Sequence, residues 1–168
     1  MFRGSARAKL DEKGRLKLPA AYLTPLLERF GAQLFITSMD GVSAQVYPLP
    51  VWLELEAKLA APSGLLDPDL ERFRMTVNYW GREVELDAQG RVVIHSPLRE
   101  AAGLDGDCVV MGDPSGFLTL ISQAGAEAQV VAKPLTRKER ARVAEKLRGG
   151  STEKTTEKTT DPAAGRQP

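Results

Sequence analysis

One short pattern occurs twice in this chain, and the repetition restricts the fold more than any other feature. Asp11-Glu12-Lys13-Gly14-Arg15-Leu16 and Asp87-Ala88-Gln89-Gly90-Arg91-Val92 both read Asp-x-x-Gly-Arg followed by an apolar residue. The offset of 76 residues that carries Asp11 to Asp87 also pairs Leu10 with Leu86, Leu18 with Ile94, and Ala20-Ala21-Tyr22 with Ser96-Pro97-Leu98. At average residue usage, a given Asp, Gly and Arg at fixed spacing arises by chance about once in several thousand positions, so two in one frame mark an internal duplication. In each copy the Asp carboxylate is suited to accept from turn amides, and the Gly to take the positive φ of a short connection.

The flanking residues extend the plan. Ala6, Ala8, Leu10, Leu16 and Leu18 alternate with Arg7, Lys9, Arg15 and Lys17, which predicts a half-buried hairpin from Gly4 to Leu10 and Leu16 to Pro19. Pro19 opens a helix over 20–30 that Pro25 interrupts or tightens and Gly31 stops. Strands over 33–38 and 45–47, turned at Met39-Asp40-Gly41, follow. A helix from Pro50 has an apolar stripe of Trp52, Leu55 and Leu59, with Glu54 and Lys58 spaced for an outward ion pair. Pro62-Ser63-Gly64 breaks the chain, and Asp67-Pro68 starts a helix carrying Leu70, Phe73, Val77 and Trp80. The second copy then repeats the order: strands over 82–86 and 92–95, a helix capped by Ser96 and ended by Gly103, and a hairpin of 108–111 with 117–121. Residues 123–132 are a weak helix, with Gly125 and many alanines. Thr136 and Glu139 form a capping box for a helix over 137–147, and 151–168 lacks the apolar residues a fold needs.

Composition sets limits on chemistry. The chain has 168 residues, 42% of them apolar, enough for one core or two interlocked halves. Cys108 is the only cysteine, which excludes an internal disulfide and a cysteine-based zinc set and fits a reducing cytosol. No apolar run follows Met1-Phe2-Arg3, so an unexported, membrane-free protein is expected. Net charge is only +1, but it is segregated. Residues 1–19 hold six cations against two carboxylates, and so do residues 137–148. No Ser-His-Asp set, metal cluster, phosphate-binding glycine loop or paired acids can be assembled, so no catalytic, cofactor-binding or metal-binding residue is assigned and an enzyme is not expected. His95 stands alone and Cys108 lies in an apolar strand; both read as structural.

These motifs resemble the MraZ family of bacterial transcription regulators. The resemblance covers residues 1 to about 131: Met1-Phe2-Arg3-Gly4, Leu10-Asp11-x-x-Gly14-Arg15-Leu16 with Pro19, Tyr47-Pro48-Leu49-Pro50 before Trp52, and Asp87-x-x-Gly90-Arg91 leading to Pro97-Leu98-Arg99 and Ala102-Gly103-Leu104. It implies an α+β fold of two tandem AbrB-like swapped-hairpin β-barrel half-units with packing helices: unit 1 over 5–50, linking helices over 51–80, unit 2 over 81–124, C-terminal helices over 125–148, and a disordered tail over 149–168. It also implies a homo-oligomeric ring, octamer or dodecamer, and no small-molecule substrate. The implied partner is double-stranded DNA carrying direct repeats upstream of the protein's own operon, the division and cell-wall cluster, which it represses. The expected location is cytoplasmic and nucleoid-associated.

Two readings apply to the repeated turns. Asp11 with Gly14, and Asp87 with Gly90, serve as structural turn elements, and Asp11 with Arg15 can be simply a local lock. For Arg15 the DNA-contact reading is favoured, because it shares a face with Arg7, Lys9 and Lys17 and because a guanidinium suits bidentate guanine contact. Arg3, Lys13, Lys9 and Lys17 suit phosphates. Positions matching the first basic face carry Glu83, Glu85, Arg91 and Val93, so the first copy is expected to supply most DNA contacts, and Arg91 to pair with Glu83, Glu85 or Asp87 or a neighbouring subunit. The rival function is an oligomeric scaffold whose basic hairpin binds an acidic protein.

Overall fold

The computed structural model describes residues 2–60 and 67–149, which form two compact units, Met1–Ala132 and Lys133–Pro168. The first contains strands β1 (Ser5–Lys9) and β2 (Arg15–Lys17), helix α1 (Ala20–Phe30), strands β3 (Gln33–Thr37) and β4 (Ala44–Pro48), and helices α2 (Leu49–Leu59) and α3 (Pro68–Trp80). Then come β5 (Arg82–Glu85), β6 (Arg91–Val93), α4 (Ser96–Ala101), β7 (Asp107–Gly112), β8 (Leu118–Ser122), α5 (Gln123–Ala126) and a π-helical turn, Glu127–Val131. The described part of the second unit, residues 133–149, contains α6 (Arg137–Gly149). The break at Pro62-Ser63-Gly64 and the segment 151–168 lie outside the described residues.

The strands do not pair as two successive hairpin sets. A six-stranded antiparallel sheet runs β1-β7-β8-β4-β3-β5, and β2 pairs only with β6. Each half therefore gives its first strand to the other half's hairpin: β1 to β7 with Ala8 opposite Cys108, and β5 to β3 with Val84 opposite Leu34. These two pairings are the same contact seen from either repeat. The axis relating them passes through the β2–β6 pair, where Leu16 faces its own counterpart Val92, and through β4–β8, where Gln45 faces Thr119.

This corrects the expected hairpin of residues 4–10 with 16–19, which is reduced to a single bridge between Leu10 and Leu16. The alternation itself holds, since Leu16 is buried and Arg7, Lys9 and Lys17 are exposed. But periodicity fixes which side chains face inward, not which strand lies alongside. β1 gains a five-residue ladder with β7, more than the three-residue β2 can offer.

Apolar faces of both halves meet in one core that includes Leu10, Leu16, Leu26, Leu34, Ile36, Leu86, Val92, Ile94, Leu98 and Val110. α1 contributes Tyr22 and Leu26, and Pro25 neither breaks it nor ends it. Buried side chains on both sides of the proline hold the helix while one amide bond is forgone. The Tyr22 hydroxyl donates to the Gly4 carbonyl at 2.8 Å, tying α1 to the start of β1.

A second cluster joins Phe35, Tyr47, Trp52 and Val77, with Trp52 stacked on Phe35 at 4.1 Å. The Thr37 hydroxyl donates to the Val77 carbonyl at 2.6 Å, fixing α3 against β3. Asp67 caps α3 by accepting from the Asp69 and Leu70 amides. From β3 onward the repeats are related by an offset of 74, as the Gln45–Thr119 pair shows, so the position equivalent to Trp52 is Ala126, and the helix there is only the short α5 before the π-helical turn. Two local expectations fail. Glu54 and Lys58 form no ion pair; both line an apolar groove with Met39 and Phe73. Ser96 is already inside the first turn of α4, and no side chain caps that helix.

Leu16, fully buried on the axis, is expected to cost about 2–5 kcal/mol of stability when replaced by Ala. Leu27→Ala, at a half-exposed position, should cost under about 1 kcal/mol in the same urea titration. Similar costs at the two positions would contradict the placement of the core.

Candidate nucleic-acid interface

Both Asp-x-x-Gly-Arg turns close by the same hydrogen bonds. Asp11 Oδ1 accepts from the Lys13 and Arg15 amides at 3.0 and 2.9 Å, while Oδ2 accepts from Arg15 Nε at 2.6 Å. In the second turn, Asp87 Oδ1 accepts from the Gln89 and Arg91 amides, each at 2.9 Å, and Oδ2 from Arg91 Nε at 2.7 Å. Gly14 and Gly90 have φ of 73° and 71°, a left-handed conformation costly for any side chain. Their carbonyls accept across the ribbon, Gly14 from the Ile94 amide and Gly90 from the Leu18 amide. Each turn is thereby fastened to the strand of the other repeat.

The turn lock and a contact role for the arginine are therefore compatible. Each Asp binds the Nε edge of its guanidinium, leaving the two terminal amino groups without a partner among the described residues. That end of the fork is the one that can present two parallel donors.

The geometry redistributes the expected basic face. Side chains directly opposite in an antiparallel pair lie on one face. Lys17 is opposite Arg91 and Arg15 opposite Val93, so the ribbon groups Arg15, Lys17 and Arg91, with Lys13 on the exposed first turn. Arg7 and Lys9 do not join them as part of one hairpin, because they stand on β1 opposite Val109 and Asp107 of β7. Lys9 is next to the turn, Arg7 lines a groove with Gln123 and Glu127, and Arg3 is exposed beyond the far end of β1. Glu83 and Glu85 lie on β5, opposite Phe35 and Gln33, in the other sheet. They are not ribbon neighbours of Arg91, whose partner is Asp87.

One further cation belongs to this site. Arg99, on α4, packs its guanidinium against the first turn so closely that a Cβ on Gly14 would run into it. The same 76-residue offset gives Leu23, which occupies the corresponding place against Gly90. Three positions thus make the first turn the more basic: Lys13, Lys17 and Arg99 against Gln89, Val93 and Leu23. Sequence alone does not reveal Arg99, because only the strand exchange brings α4 to the first turn. The offset pairing it with Leu23 is the available signal.

The remaining candidates fit no reaction centre. Cys108 is buried, and that burial pushes its thiol up to about 11. Burial lowers the pKa of His95, with Arg82 adding to the shift, and favours the neutral imidazole. Among the described residues, no cluster of His, Cys, Asp and Glu could hold a metal ion, and no helix is long and apolar enough to cross a membrane.

Asp11 and Asp87 are held below the usual carboxylate range, chiefly by the backbone amides of Arg15 and Arg91. A depressed folded pKa stabilises the turn fully above the unfolded value, about 3.9, and the gain is lost as pH falls through the folded value. Carboxyl-carbon NMR titration should therefore give midpoints below the ordinary value for both residues. Ordinary midpoints would mean that the locks are not formed in solution.

With this geometry in hand, comparison with known proteins gives a consistent result. Residues 81–118, the stretch holding the second turn, match a family model described as "MraZ protein, putative antitoxin-like". The chain is 42% identical over 145 residues to a transcriptional regulator MraZ of Acidobacterium capsulatum, covering 86% of this chain and 98% of that protein. It is 46% identical over 114 residues to the transcriptional regulator MraZ of Koribacter versatilis, covering 67% of this chain and 76% of the relative. A Nitrosomonas eutropha protein of the same name is 36% identical over 117 residues, covering 70% and 78%. The repeated turn, the extent of these matches and their near-complete span of the Acidobacterium relative lead to one conclusion: the chain belongs to the MraZ family.

Proposed function

We propose that this protein is a sequence-specific DNA-binding transcriptional regulator that enters the major groove with its β2–β6 ribbon. The observation carrying this reading is the grouping of Arg15, Lys17 and Arg91 on one face of a two-stranded antiparallel ribbon, with each Arg oriented by an Asp. A two-stranded ribbon is one of the shapes the major groove admits. Arg15 and Arg91 sit diagonally across it, about 7–8 Å apart at the backbone. That is about two base-pair steps at about 3.4 Å each. Guanidinium forks at this spacing suit two guanines, while Lys9, Lys13, Lys17 and Arg99 take adjacent phosphates and Arg3 and Arg7 are outlying contacts.

The wider reading follows family membership. The protein represses its own operon, the division and cell-wall gene cluster, acting on direct repeats in the cytoplasm as a nucleoid-associated ring of eight or twelve copies. A ring bearing several ribbons makes each later contact intramolecular and raises its effective concentration, provided repeat spacing matches subunit spacing.

Arg15→Ala is expected to weaken operator binding at least about tenfold, the loss of one bidentate base contact. Arg91→Ala should weaken it less, because the second turn lacks the cations around the first. Equal losses in a gel-shift titration would overturn the asymmetry, and no loss in either would overturn the assignment. Changing the distance between operator repeats should also weaken binding, whereas indifference to spacing would point to independently acting subunits.

A further inference from the structure

α6 is built unlike the other helices. None of its residues from Arg137 to Arg148 is buried, so tertiary packing does not hold it. At 13 residues it is near the length at which an isolated helix is marginal in water, about 12–15 residues. Its support is local: Thr136 and Glu139 form a reciprocal capping box, the Thr136 amide donating to Glu139 Oε2 at 2.8 Å and the Glu139 amide to Thr136 Oγ1 at 3.3 Å. That box occupies one of the helix's two acidic residues. Glu145 alone remains against Arg137, Lys138, Arg140, Arg142, Lys146 and Arg148. Among the described residues none of these six cations is in an ion pair.

Their placement works against an isolated helix. Lys138, Arg142 and Lys146 follow one another at i, i+4 and i+8, a single row with steps of about 6 Å along the axis. Like charges in such a row destabilise the helix, and a polyanion laid along it removes the penalty. Glu139 and Glu145, each three residues from Arg142, border the row, and Arg137, Arg140 and Arg148 lie round the far side of the helix with Val143 and Leu147. Those are the only large aliphatics on the helix, and it has no aromatic residue, too little for insertion at a lipid surface.

We infer that α6 is a second, sequence-independent DNA contact, its Lys138-Arg142-Lys146 row gripping phosphates of the duplex flanking the site read by the ribbon. This rests on the DNA-binding reading above and extends it to a helix of the second unit. Phosphate contacts add affinity without base preference.

The test uses the full chain with Arg137, Lys138, Arg142 and Lys146 all replaced by Gln, which preserves helix propensity and disturbs no buried group. On an operator duplex with long flanks, affinity should fall on the order of tenfold, and the slope of log affinity against log salt should become less negative by about 0.9 for each phosphate that the helix no longer neutralises. The same loss should appear on unrelated duplex, should be absent on an operator trimmed of flanks, and should not occur when Arg137 and Arg142 are changed to Lys. Unchanged affinity and slope, with the wild type binding and Arg15→Ala not binding, would overturn this inference and leave the ribbon reading intact. Binding of α6 to phosphatidylserine vesicles with no change on DNA would also overturn it. A wild-type chain that binds no duplex would overturn both.

Discussion

Because Leu16 and Val92 occupy equivalent positions in the two repeats, their pairing runs the relating axis through the middle of the β2–β6 ribbon. Everything else in the first unit accommodates that contact. Once β2 lies against β6, β1 has only one bridge to β2 and completes its hydrogen bonding on β7, and β5 does the same on β3. Burial follows the same logic, since Leu16, Val92, Leu34 and Val110 belong to one core that neither repeat could close alone. An isolated repeat would present its hairpin's open edge and an uncovered apolar face to water, which makes the pairing of two repeats a condition of folding.

Much of this is legible locally. The turn residues predict both carboxylate locks, Asp67 its cap, and Thr136 with Glu139 their reciprocal box, because each device acts within four residues along the chain. Alternation likewise identifies the buried side of β1 and β2. What cannot be read is partnership across long stretches of sequence: that Lys17 meets Arg91, that Glu83 and Glu85 leave the ribbon, and that Arg99 backs the first turn. Comparing the two copies as parallel hairpins puts the right charges beside the wrong neighbours. The weak helix over 123–132 illustrates a different limit, since Gly125 and the alanines point to weakness but not to a π-helical turn.

The aspartates also bear on how the arginines act. A free arginine surrenders considerable rotamer entropy when it engages a planar partner. Here the Nε bond and the paired backbone bonds already hold the fork, so a planar partner, if engaged, would leave less ordering to offset. The carboxylate therefore matters as a mount, and its depressed pKa keeps that mount charged into more acidic solution than an ordinary carboxylate would be.

Fusion of the two repeats has one last consequence, visible where Arg99 leans on Gly14 and Leu23 on Gly90. A ribbon assembled from two identical chains would be chemically symmetric, with two ends that could not be told apart. A fused pair is free to diverge side by side, and this one has. Its ribbon has a polarity: one end carries Lys13 and Arg99 and the other Gln89 and Leu23, so the two ends are no longer interchangeable to anything laid across them.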